Sequence, residues 1–176
     1  MPIPLSKDTQ HTLSLLHTLC DSEIITWPID FEAGQHDEED LNDTLQAWLG
    51  SDRWQSSGSQ FLQLGQDASG SSFMLWHYPG LSLEPPVVFM GSEGDTAILA
   101  PSLGDFMRQL ASQQSFFSGD WVQYDESELQ ALNWPRLKAA IAANLPLDER
   151  KPQAIQEEAR HLHPDFSDWV KANLDY

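Results

Sequence analysis

The stretch HLHPD places His161, His163 and Asp165 within five residues. Two imidazoles and a carboxylate are a donor set that zinc accepts. On a helix, positions i and i+2 point apart, so the histidines converge only if Pro164 ends the helix there. No second ligand cluster lies nearby in sequence, and the plainer expectation is solvated histidines complementing the carbonyls of a helix end. His17 and Cys20 stand three apart and, with His11, suggest a thiol beside a base. A helix there puts Cys20 near its C-terminal end, where the dipole raises a thiol pKa, so an ordinary packed cysteine is expected. The run HDEED, His36 to Asp40, is rich in oxygen ligands but lacks the Asp-x-Asp-x-Asp-Gly spacing of a calcium loop. Ser92 and Glu93, in GSEG, have no histidine close in sequence. A triad assembles in space rather than in sequence, but nothing points to one here. These residues specify no catalytic group, no metal site and no cofactor.

The elements around these residues explain more. GSEG joins VVFM to TAILA, and Gly91 and Gly94 are the residues a tight hairpin turn uses to reach positive φ. No helix follows directly, so the turn does not fit a phosphate-cradling loop, and Glu93 and Asp95 would repel a phosphate. SQFLQLG, SSFMLWHY, PPVVFMG and DTAILA are short apolar runs separated by turn residues, which predicts a meander of about four strands. In FMLWHY, Phe73, Leu75 and His77 face one way and Met74, Trp76 and Tyr78 the other, so this strand should be central and covered on both sides. Helices are expected over Leu5 to Cys20, over GQHDEEDLNDTLQAWLG, and from Ser102, where Asp105 follows at capping-box spacing. DESELQALNWPRLKAAIAANL should be helical and split at Pro135, and the last helical segment should break at Pro164. TWPIDF reads as extended, because Pro28 disfavours a helical Trp27. The fold class is therefore α+β: a mainly antiparallel sheet meander flanked by N- and C-terminal helices.

FLQLGQDASGSSFMLWHYPG followed by PVVFMGSEGDTAILAPSLGDFMRQLA resembles the SUKH superfamily, the Smi/Knr-like proteins. In that family a strand ends in a Gly/Ser-Glu-Gly turn, then a strand leads into a helix of pattern S-L-x-x-F-x-x-x-L. Those positions here are Gly91, Ser92, Glu93, Gly94, Ser102, Leu103, Phe106 and Leu110. The resemblance covers about residues 60 to 111 of a single domain spanning 1–176; the usual Asn-Gly-Gly element is missing, and 120–176 is a helical C-terminal extension without a firm counterpart. The resemblance implies a non-catalytic binding role. Bacterial members resemble immunity proteins that neutralise a cognate toxin domain, often a nuclease, and eukaryotic relatives look like regulatory scaffolds.

Charge narrows the partner. The 176 residues carry 9 Lys plus Arg against 27 Asp plus Glu, a net −18. From Asp8 to Met107 there are 16 acids and one base, Arg53. Such a field opposes nucleic acid and anionic membranes and favours encounter with a basic protein. Solubility alone is the bland alternative. Asp37, Glu38, Glu39, Asp40 and Asp43 begin a helix and form the expected partner-binding patch, with Trp54, in polar loop text, as an aromatic anchor. A single cysteine excludes an internal disulfide, and MPIPLSKDTQHTLSLL does not read as a secretory leader, so a cytoplasmic location is expected. The expected function is occlusion of a basic toxin domain. A scaffold of the same fold with several partners, or a small enzyme with a ligand-sized pocket, are the alternatives.

Overall fold

A computed structural model describes residues 3–34, 38–49 and 60–173. The chain begins with α1 (Lys7–Asp21), whose N-cap Ser6 accepts a hydrogen bond from the Thr9 amide at 3.1 Å. Thr9, Thr12, Leu16 and Leu19 recur at helical spacing and form its buried stripe. After β1 (Glu32–Ala33) and α2 (Glu38–Leu49) come β2 (Phe61–Gln66), β3 (Ser72–Trp76), β4 (Val87–Met90) and β5 (Thr96–Ala100). The five strands form one antiparallel sheet in sequence order, a meander with β3 in its middle. The short β1 is the strand beyond the four expected. α3 (Leu103–Leu110) follows, then a separate hairpin of β6 (Gln114–Phe117) and β7 (Asp120–Gln123), then α4 (Glu126–Ala131), α5 (Trp134–Ala142), α6 (Pro152–Leu162) and α7 (Phe166–Asn173). The α+β class expected from the sequence is the class observed.

The strict alternation along β3 and β4 divides the interior into two cores. Phe73, Leu75, Val87 and Phe89 face a core shared with α1, α3 and α5, through Leu16, Leu19, Phe106, Met107, Leu137 and Ile141. Met74, Trp76, Val88 and Met90 face a second core completed by Leu41 and Leu45 of α2 and by Phe166 and Val170 of α7. Both sheet faces are thus dry, which is why β3 and β4 are buried at every position rather than at alternate ones. The free edge of β5 is closed by side chains. The Gln156 and Gln109 amides donate to the carbonyls of Ile98 (2.9 Å) and Leu99 (2.7 Å), and the Ser167 hydroxyl donates to that of Thr96 (2.9 Å). Carbonyls so occupied are not open to pairing with another chain.

Asp125 caps α4 with a reciprocal Glu128 contact, and α5 begins at Trp134 with Pro135 in its first turn, so the split expected at this proline is observed. α6 ends at Leu162, ahead of Pro164, as expected. TWPIDF differs from expectation. The Asp30 amide closes a turn on the Thr26 carbonyl at 3.0 Å, Asp30 adopts a left-handed φ of 50°, and only Glu32–Ala33 is strand. The local proline rule restricts only Trp27; the hydrogen-bonded turn from Thr26 to Asp30 sets the path of the segment.

Candidate functional site

A concave feature lined by described residues lies on the α1/α3 side of the sheet, beneath the β6–β7 hairpin. It is a cleft of about 600 Å³, a size in the ordinary range for ligand pockets. Four connections enclose it: the loop 28–31, the turn 67–71 between β2 and β3, the turn 91–95 between β4 and β5, and the hairpin itself. An unbroken series of aromatic contacts forms its floor. Phe106 meets Phe31 (5.8 Å between ring centres), Phe31 meets Phe73 (5.4 Å), Phe73 meets Phe89 (5.3 Å), Phe89 meets Phe116 (5.2 Å), and Phe116 meets Trp121 (5.4 Å). Most of these pairs are edge-to-face, the arrangement the ring quadrupoles favour.

Hydrogen bonds hold the rim in register. Asp67 Oδ1 accepts from the amides of Ser69 (2.9 Å) and Ser71 (3.1 Å), which folds the first turn over its own side chain. The Ser71 hydroxyl then accepts from the Ser92 amide at 3.0 Å, so the two turns move as one. Within 91–95, the Gly91 amide donates to the Asp95 carbonyl at 2.7 Å. The two glycines act differently. Gly94 has a φ of 94°, as the sequence suggested, whereas Gly91 is required for space: a β-carbon there would stand 1.9 Å from Asp95 Oδ1. On the other side, Ser118 and Gly119 take left-handed φ of 53° and 84° in a two-residue hairpin turn. Trp121 anchors that hairpin by donating from Nε1 to Gln156 Oε1 at 3.1 Å, and the same Gln156 bonds β5.

The chemistry of the lining is one-sided. Asp30, Asp67, Glu93 and Asp95 contribute four carboxylates, and no Lys, Arg or His is among the described lining residues. Burial, then the negative fields of Glu128 and Asp30, push the Tyr124 phenol well above its ordinary range, so it stays a neutral hydrogen-bonding group. Phe117, at the hairpin tip, is 71% exposed, the most exposed large apolar side chain among the described residues. An aromatic floor under an acidic rim suits an organic cation with an apolar stem.

GSEG is a turn, as expected, but Ser92 and Glu93 line this cleft, a role that sequence proximity to other chemistry could not show. The hairpin carrying Phe116, Phe117 and Trp121 was absent from the expected elements. Its signal is present in the sequence: QSFF and DWVQ flank a two-residue Ser-Gly turn. The expected partner patch lies elsewhere. Asp37 and Trp54 fall outside the described residues, and Glu38 and Asp40 belong to the backbone of α2. Glu39 and Asp43, one helical turn apart, are exposed. Because Leu41 and Leu45 pack in the second core, α2 sits across the sheet from the cleft.

The other chemistry-bearing residues separate. His161 is exposed, 3.7 Å from Glu157, whereas His163 is buried with Nδ1 2.9 Å from the Tyr78 hydroxyl. The expectation of two solvated helix-end histidines therefore holds for one only; α6 ends so that His163 turns inward under Tyr78. Cys20 is half-buried, its thiol directed to the Phe31 carbonyl at 3.4 Å, and burial raises its pKa. Among the described residues no group of three His, Cys, Asp or Glu is placed to hold a metal ion. No helix among them is long and apolar enough to cross a membrane. In comparisons with known proteins, the chain matches no family model, no curated protein and no solved structure.

Proposed function

We propose that this chain is a non-enzymatic protein-binding domain that docks on a basic protein in the cytoplasm and blocks it by occlusion. The occupant proposed is a toxin domain, in keeping with the SUKH resemblance of residues 60 to 111. The observation that supports the reading is the cleft: four lining carboxylates, no lining cation among the described residues, and an exposed aromatic at its edge, in a chain of net charge −18. Distributed acidity accelerates encounter with a basic surface, and the aromatic residues contribute the contact area that keeps it. Occlusion needs no catalytic group on this side. A basic face that handles nucleic acid is blocked when carboxylates occupy it.

The test begins with affinity capture of the partner at low and high salt, followed by stopped-flow association with the purified partner. The expected result is one dominant basic protein whose association rate falls steeply with salt, because steering is screened over a Debye length of about 10 Å at 0.1 M. Charge reversal then locates the face. Glu38 and Glu39 changed to Lys test the α2 patch, and Asp30 and Glu93 changed to Lys test the cleft. A reduction of roughly tenfold in association rate is expected from reversing charges at the docking face. A partner with no basic character, or rates indifferent to salt and to both reversals, rules the reading out.

A further inference from the structure

We infer that the cleft is a receptor for an arginine side chain presented by the basic partner; this rests on the protein-binding reading above and names the group that enters. The acidic rim has no cation of its own among the described residues. Asp30, Glu93 and Asp95 make no side-chain hydrogen bond and no ion pair among the described residues, whereas the carboxylates Asp105 and Asp148 elsewhere in the chain are bridged to Arg108 and Arg150. Asp30 is half-buried and Glu93 and Asp95 are exposed at the mouth, so a cation entering the cleft meets carboxylates with no competing cation among the described residues.

A second observation is independent of the acids. Gln109 is fully buried and lines the cleft. Its amide nitrogen is held by the carbonyls of Leu99 (2.7 Å) and Pro152 (3.2 Å), which fixes the side chain, and its Oε1 has no donor. A buried acceptor without a donor is costly, so an N–H group that reaches Oε1 from the cleft would be favoured. The site thus offers acceptors and π faces and asks for donors.

A guanidinium answers both demands. It carries five N–H donors in a plane, stacks on aromatic faces and sheds water more readily than an ammonium. The rings of Phe116 and Phe117 flank the cleft at the hairpin, and the exposed Phe117 remains to cover the apolar stem of an incoming side chain. At about 600 Å³ the cleft exceeds one side chain. It admits an arginine together with its neighbours in an extended segment, which favours a protein-borne group over a free cation.

The experiment is an NMR titration of the whole chain with three short peptides identical except for a central arginine, lysine or citrulline, which is the neutral isostere of arginine. The arginine peptide is expected to shift resonances of 28–31, 67–71, 91–95 and 114–121, and to bind about tenfold more tightly than the citrulline peptide, with lysine between them. The double variant Glu93→Gln, Asp95→Asn should lose that advantage, and the control Glu149→Gln, Asp168→Asn, exposed and outside the cleft lining, should keep it. Equal arginine and citrulline binding at the cleft overturns the inference. Arginine-dependent shifts confined to α2 also overturn it but leave the basic-partner reading standing. If neither cationic peptide outbinds citrulline anywhere, both fall. Free arginine amide binding as tightly as the peptide would reassign the cleft to a small cation.

Discussion

At the scale of single residues, His163 and Glu93 show how burial decides what a titratable group does. His163 sits at the end of α6 with its Nδ1 against Tyr78, and burial lowers its pKa below 6.5, with a smaller opposing influence from the Pro101 carbonyl. A histidine whose folded pKa is depressed binds fewer protons folded than unfolded in the window just below the unfolded value. Its contribution to stability is therefore complete above about pH 6.5 and is lost as pH falls through that window. Urea denaturation at a series of pH values should show the wild type losing stability relative to His163→Phe as pH falls below about 6.5. A constant difference between the two would mean that His163 titrates as freely in the fold as in the unfolded chain. Glu93 is exposed at a turn and has no side-chain partner among the described residues, so it can meet one from outside.

At the scale of elements, the β6–β7 hairpin is the piece that converts a covered sheet into a cleft. A two-stranded hairpin is marginal by itself, and this one is held by Trp121, which packs against Phe116 and bonds Gln156. Trp121→Ala should cost about 3–5 kcal/mol, as truncation of a buried aromatic does. Phe117→Ala, at the exposed tip, should change stability by no more than about 0.5 kcal/mol. The second variant separates binding from folding: an unchanged melting temperature with weakened binding of the arginine peptide is the expected pair of results. Full binding by Phe117→Ala would remove the hairpin tip from the site. The turn 91–95 and the turn 67–71 form the other rigid half of the rim, joined through Ser92 and Ser71.

At the scale of the whole molecule, charge sets behaviour that no single contact explains. A net −18 on 176 residues repels itself, and folding brings those charges closer together. Screening relieves this. Scanning calorimetry in rising sodium chloride should show the melting temperature climbing, since removing even about 1 kcal/mol of repulsion raises it by roughly 2–4 °C for a chain of this size. A melting temperature insensitive to salt would mean that the acids are spaced widely enough not to interact. The same salt that stabilises the fold should slow association with a basic partner, so the two measurements move in opposite directions.

Much of this fold was legible in the sequence, because period-2 and period-3.6 patterns are local and survive without a tertiary context. The alternation in FMLWHY placed β3 at the sheet centre with both faces covered, Pro135 and Pro164 marked real breaks, and the acidity and lone cysteine are facts of composition. The cleft was not legible, since its four carboxylates come from three loops between 30 and 95 and its aromatic wall from residues 116 to 124. What joins them is the meander order of the sheet, the Ser71–Ser92 hydrogen bond and the packing of Trp121, all of them long-range. The sequence by itself determined the central strands, the main helices, their order and the sign of the charge, but neither β1 nor the β6–β7 hairpin. Only the tertiary structure decided which acids converge and over what floor, because convergence depends on contacts between residues far apart in the chain, and no local pattern encodes them.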